Sequence, residues 1–136
     1  MLETTAELVF DRVKNFEPGL VSLVFVDRST MQAINLAHAG HDYPTDVLSF
    51  NYHESGTLPP QGYIGEIVIC HEIAADQATR YGLEFKAEVS LLLIHGLLHL
   101  SGQDHQDELS QSGFNATQDG IMEELKLKTR QFKWSH

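Results

Sequence analysis

Two histidines one helical turn apart, with a third close behind, are the residues here best suited to chemistry. The stretch His95-Gly96-Leu97-Leu98-His99-Leu100-Ser101-Gly102-Gln103-Asp104-His105 holds three of the chain's eight histidines. A spacing of four puts His95 and His99 on one face of a helix. Gly102 stands where a left-handed cap would end that helix, and the turn could swing His105 back toward the other two. Three imidazoles with an open fourth position describe a metal site. The plainer alternative is a core histidine bonded to a backbone carbonyl. Leu91, Leu92, Leu93, Ile94, Leu97, Leu98 and Leu100 surround the helix on nearly every side, so it should be buried all round. A buried imidazole left unpaired costs about 1–3 kcal/mol, and one shared ion satisfies two at once.

Three neutral imidazoles leave the double charge of a metal ion uncompensated. A water bound there has its pKa lowered to about 7, which predicts a hydrolase. Zinc is the first choice of cofactor, one per chain, although imidazole also accepts iron, nickel or copper. The same spacing matches the metzincin peptidase pattern H-E-x-x-H-x-x-G-x-x-H. Those enzymes carry a general-base glutamate where this chain has Gly96. Glu88, the nearest carboxylate on that helical face, lies about 10 Å away along the axis. The peptidase therefore ranks a distant third.

The elements that must hold this helix can be read in order. Apolar residues at Leu2, Ala6, Val9, Phe10 and Val13 predict a helix from Leu2 to Phe16, ended by Pro18-Gly19. Leu20 to Val26 should be a strand. Asp27 or Ser29 caps a helix bearing Met31, Ile34 and Ala37 or His38, which stops at Gly40. After a loop from His41 to Asp46, Val47 to Tyr52 is expected to form a strand parallel to the first, across a right-handed crossover. His53 to Gly62 reads as an exposed connection. Tyr63 to Cys70 makes a third strand, interrupted at Gly65-Glu66 and antiparallel to the second. Helices are predicted at His71–Tyr81, closed by Gly82, and at Phe85–Leu100. Asp107 to Gly113 reads as an acidic link before a last helix from Asn115 to Lys128. The expected fold is α+β: a small mixed sheet of three to four strands with about five helices, in one domain spanning 1–136.

Composition narrows the function classes. With 136 residues, 42% hydrophobic and 21% charged, the chain is ordinary for a globular protein. No apolar run approaches the ~20 residues needed to span a membrane. The first residues lack the features of a signal peptide, so a cytoplasmic location is expected. Cys70 is the single cysteine, which excludes an internal disulfide and a thiolate cluster. A net charge of −10 argues against broad phosphate binding. Yet Lys126, Lys128, Arg130 and Lys133 lie near the C-terminus, interleaved with Phe132 and Trp134. That mixture suits a single-stranded nucleic acid, and equally a helix end whose cations offset its dipole.

His95-Gly-Leu-Leu-His99-Leu-Ser-Gly-Gln-Asp-His105 closely resembles the H-G-x-L-H-L-x-G-Y-D-H signature of the YbeY family. Pro44-Thr45-Asp46-Val47-Leu48-Ser49-Phe50 resembles the family's P-T-D-V-L-S-F motif, and Ile64 to Cys70 is similar to its L-G-D-I-V-I strand. The likeness covers about residues 20 to 125, with the three motifs in the family's order. It implies an α+β fold, zinc on His95, His99 and His105, and a metal-dependent endoribonuclease of ribosomal RNA maturation and ribosome quality control. It also implies ribosomal RNA as partner, together with ribosomal proteins or the small subunit.

Three departures stand out. The family usually has N-x-x-Y-R-x-K-D before its P-T-D motif. Counting from Asn35 to Asp42 puts Ala39 at the arginine and His41 at the lysine. An arginine there would stabilise charge building on a phosphate, leaving Arg28 or Arg80 to supply it. Gln103 replaces the signature tyrosine. The chain opens with a helix where the family generally opens with a strand, so one strand of the sheet is expected to be missing.

Asp46 is read as orienting a histidine ligand, facing a substrate groove, or simply holding a turn. Asp104 either hydrogen-bonds a ligand or faces solvent. Gly96 is expected to let another backbone pack close. Two functions from different classes follow: a single-strand endoribonuclease, and a metal-bound ribosome-assembly factor with little or no catalysis.

Overall fold

The computed structural model describes residues 2–13, 19–52, 63–101 and 108–130, with no side chains for 108–112. In chain order the elements are α1 (Leu2–Arg12), β1 (Leu20–Val26), α2 (Arg28–Ala39), β2 (Val47–Asn51), β3 (Tyr63–Cys70), α3 (His71–Tyr81), α4 (Phe85–Leu100) and α5 (Glu108–Glu124). This is the expected α+β arrangement, five helices and a three-stranded mixed sheet among the described residues.

Local signals set most of the boundaries. Asp27 caps α2 by accepting a 2.8 Å hydrogen bond from the Thr30 amide, so it is the cap rather than Ser29. Gly40 and Gly82 end α2 and α3 with positive φ of 74° and 66°, a conformation glycine adopts without strain. Cys70 is buried at the end of β3, and His71 opens α3 as anticipated.

The sheet order corrects one expectation. β3 lies in the middle, parallel to β1 and antiparallel to β2, so β2 runs opposite to β1 instead of parallel beside it. Hydrophobicity explains the choice. Ile67, Val68, Ile69 and Cys70 are buried on both faces and need a neighbour on each side. β1 and β2 carry Ser22, Ser49 and Asn51 and tolerate the edges. β3 is continuous through Gly65-Glu66, and the irregularity is a register shift opposite Leu20 and Val21.

Helices cover both faces of the sheet. On one side α2 brings Met31 onto Val68 and Cys70, with Leu48 and Phe50 at the margin. On the other, α4 packs against Ile67, Ile69 and Val47, and α1 and α5 close over α4 through Val9, Val13, Ile121 and Met122. From Ala87 to Leu98 every residue of α4 is buried, which accounts for its lack of a polar face. Each large apolar side chain buried there contributes about 1.5–3 kcal/mol.

Two further boundaries differ. The segment expected as an acidic link is helical from Glu108 onward, residue 107 lying outside the described residues. Carboxylates at a helix N-terminus are favourable to its dipole, and one internal glycine costs only about 1 kcal/mol. At its other end α5 stops at Glu124 rather than Lys128, and the chain leaves through Lys126 at φ 59°. Phe16 and the connection 53–62 also lie outside the described residues.

Candidate functional site

His95 and His99 point the same way from the last two turns of α4. Their Nε2 atoms are 3.0 Å apart and their ring centroids 4.7 Å apart. His95 is fully buried, whereas His99 is only partly so. Two nitrogens on one tetrahedral zinc stand about 3.3 Å apart, so this pair is nearly at ligand spacing, and a small ring rotation closes the difference. The donor chemistry fits a borderline-soft divalent ion. Among the described residues no third ligating group joins them. His105 and Asp104, the other residues expected here, lie outside the described residues, as does Gln103.

The elements around the pair fix its position. The Ser49 hydroxyl donates to the Gly96 carbonyl at 3.0 Å, and the Asn51 amide donates to the Leu100 carbonyl at 3.2 Å. Two alternate residues of β2 thus bond to carbonyls of the last turns of α4, and of the two only that of Leu100 is a helix-end carbonyl without an intrahelical donor. Gly96 permits this closeness. A Cβ there would meet the Ile67 side chain at 3.0–3.2 Å, so what packs close is a β3 side chain and not a second backbone.

A cleft of about 600 Å³ opens over the two imidazoles. Its other walls come from the end of α2 (Asn35, Ala39), the following loop (His41, Tyr43, Thr45) and β2. The chain carries 19 acidic residues, yet no carboxylate lines the cleft among the described residues, and neither does a lysine or arginine. Ala39 and His41 do line it, at the two positions where the family pattern has cations.

Neither arginine considered as a substitute lines the cleft. Arg28 is engaged by Glu72 and Asp76 of α3, with its amide hydrogen-bonded to Glu72 at 2.8 Å. Arg80 is an exposed residue of α3. Asp46 serves the turn into β2: its Oδ1 accepts from the Val47 amide at 2.8 Å, and its carbonyl accepts from the Cys70 amide at 2.9 Å. Its Oδ2 accepts from Gln77 at 3.4 Å, and it is not among the residues lining the cleft.

Glu88 is fully buried and held by Arg130 through two hydrogen bonds of 2.8 and 2.6 Å. Burial opposes the charge on Arg130, but the hydrogen bonds and charge of Glu88 outweigh it and raise the guanidinium pKa above its ordinary value. Arg130 also lies over the Tyr81 ring at 4.4 Å. Of the C-terminal cations read as a nucleic-acid patch or a dipole partner, Arg130 is neither; it neutralises a buried carboxylate. Lys133, Phe132 and Trp134 lie outside the described residues.

Three residues that matter to the site were assigned no role from the sequence, although Asn35 and Ser49 fall within the family's motifs. Asn35 is buried and donates to the Tyr43 carbonyl at 2.8 Å, tying the loop to α2. Ser49 and Asn51 are the others. Beyond the place of Ser49 in its motif, their shared signal is polar residues at i and i+2 of a strand, on the face that Val47 turns toward the core.

The comparisons with known proteins agree with this architecture. A family model described as Endoribonuclease YbeY matches residues 1–126. Endoribonuclease YbeY of Ureaplasma parvum is 40% identical over 103 residues, covering 76% of this chain and 65% of that protein. The chain therefore spans a little under two thirds of that relative's length. The Macrococcus caseolyticus protein of the same name is 37% identical over 116 residues, 82% of this chain and 75% of its own. A Thermotoga maritima protein solved in solution aligns with a TM-score of 0.58 at 26% identity, over 91% of this chain and 80% of that one. The length of the match and the identity of these relatives place the chain in the YbeY family.

Proposed function

We propose that this protein is a metal-dependent endoribonuclease that cuts single-stranded RNA in the cytoplasm, in ribosomal RNA maturation and ribosome quality control. The observation that carries the reading is the convergence of His95 and His99 beneath a cleft whose described lining holds no carboxylate to repel a phosphate. Its relatives' shared name, Endoribonuclease YbeY, supports RNA as the substrate class. In this reading His95, His99 and His105 hold one zinc ion, and the ion supplies Lewis acidity at neutral pH. Ser49 and Asn51 hold the ligand-bearing helix end in place. The walls of the cleft admit a flexible strand and orient it over the imidazoles.

One observation favours a second reading, a metal-bound assembly factor that binds ribosomal RNA or proteins of the small subunit with little catalysis. Ala39 lines the cleft where the family pattern has an arginine, so no guanidinium offsets charge building on a phosphate there.

Incubating zinc-loaded protein with single-stranded RNA, with and without a chelator and beside His99→Ala, separates the two. Cleavage that chelator and variant both abolish supports the enzyme. Equal cleavage by wild type and variant identifies a contaminating nuclease and removes the claim. Absence of cleavage together with specific ribosomal binding favours the assembly factor. Ala39→Arg is expected to raise cleavage in the first case. Protein that takes up no zinc in elemental analysis would refute the three-histidine site.

A further inference from the structure

We propose that Tyr43 is a stacking platform for an unpaired nucleobase at the rim of the cleft, with His41 beside it. The proposal rests on the RNA reading above and deepens it, because it assigns binding to bases more than to phosphates.

The loop bearing Tyr43 is anchored at several points. Asn35 holds the Tyr43 carbonyl at 2.8 Å, Gln32 donates to the Asp42 carboxylate at 2.9 Å, and the Cys70 amide holds the Asp46 carbonyl at 2.9 Å. A buried asparagine spent on a loop carbonyl fixes the backbone of Tyr43, yet the residue remains 53% exposed. A large ring held out from the core by a fixed backbone forgoes burial that would stabilise the fold. Tyr43 lines the same cleft as His95 and His99. His41, also on the cleft, lies 5.4 Å from it between centroids, with the planes 34° apart.

Charge makes the case for stacking. A nucleic-acid groove normally tracks phosphates with lysine and arginine. Here the described lining offers imidazole, hydroxyl and amide groups and no permanent cation, in a chain of net charge −10. Away from the proposed metal, affinity for a strand at the described walls then draws on base surfaces, which every nucleotide presents to an aromatic ring. The substrate class is RNA with its bases unstacked, since a paired base keeps its faces covered.

The test is the affinity of the full zinc-loaded chain for a labelled 2′-O-methyl oligonucleotide and for an abasic strand of equal length. Tyr43→Ala is expected to weaken binding of the base-bearing strand about tenfold, the abasic strand to bind wild type about tenfold more weakly, and Tyr43→Phe to retain wild-type affinity. Affinity should also fall only gently with added salt. Equal affinity of Tyr43→Ala and wild type, or equal affinity for the two strands, overturns the stacking platform and leaves the RNA reading standing. No binding of either strand overturns both.

Discussion

Helix α4 buries polar groups near both ends, and the two ends resolve the burden differently. Near its start, Glu88 is sealed from water and answered inside the molecule by Arg130. Near its finish, His95 and His99 answer each other at 3.0 Å and look into a cleft. The first arrangement is closed: a carboxylate and a bidentate guanidinium leave nothing for a ligand to take up. The second is open, because neutral imidazoles have low-cost alternatives in each other, in water or in an ion. One helix thus separates a polar group sealed in the interior from polar groups that face a cleft. The discriminating feature is whether the partnered group is shut away from solvent or opens onto a cleft.

The largest test of that contrast falls on the closed end. Arg130→Met leaves Glu88 buried without its cation and is expected to cost about 3–5 kcal/mol in urea unfolding. Adding Glu88→Leu should restore most of the loss, since an apolar pair of similar volume replaces a buried ion pair well. A loss below about 1 kcal/mol from Arg130→Met would show that the pair is hydrated and the contrast unreal.

Between the two ends, Gly96→Ala drives a methyl group to 3.0–3.2 Å from the Ile67 side chain. Overpacking of this kind costs about 1–3 kcal/mol, against about 1 kcal/mol regained by removing a glycine from the helix interior, so the expected net loss is at most about 2 kcal/mol. Ile67→Val in the same chain should return part of it, measured by the same titration. At the open end His99→Ala is expected to change stability by no more than about 1 kcal/mol when metal is removed, while zinc uptake in elemental analysis collapses. Equal destabilisation by His99→Ala and Arg130→Met would make the two ends alike.

The smallest effect belongs to an exposed polar group, Asp27. Its amide hydrogen bond from Thr30 is the main cause holding the carboxyl below its ordinary value of 3.8. A folded-state pKa below the unfolded one means that the cap stabilises fully above the unfolded value. The contribution is lost as pH falls through the folded value. The stability gap between wild type and Asp27→Ala should therefore be present at neutral pH and close in strong acid. A gap of constant size would assign the cap to geometry alone.

What could be read from the sequence was whatever is decided within a few residues. The caps at Asp27, Gly40 and Gly82, the apolar run of α4 and the shared face of His95 and His99 depend on spacing alone. What escaped depends on distant partners. The central place of β3 follows from a comparison among three strands. Arg130 meets Glu88 across 42 positions, and no local pattern distinguishes it from its basic neighbours. Asn35 and Ser49 fall in family motifs, but the partners of these two and of Asn51 show only when the loop and α4 are set against them. Glycine at 113 and the acidic residues before it suggested a link, but a helix N-terminus accepts both.

The clamp between β2 and α4 has a consequence for when the cleft can exist. Ser49 reaches Gly96 across 47 positions and Asn51 reaches Leu100 across 49. One wall is therefore synthesised long before the other, and a growing chain that has produced only the first has no cleft. Closing so long a loop is among the slower steps of folding, since entropy is lost before the contacts are gained. Helix α4 and the β2 wall of the cleft come together only in a chain that has passed Leu100 and docked α4 on the sheet. The proposed activity would thereby be timed to the completion of the fold.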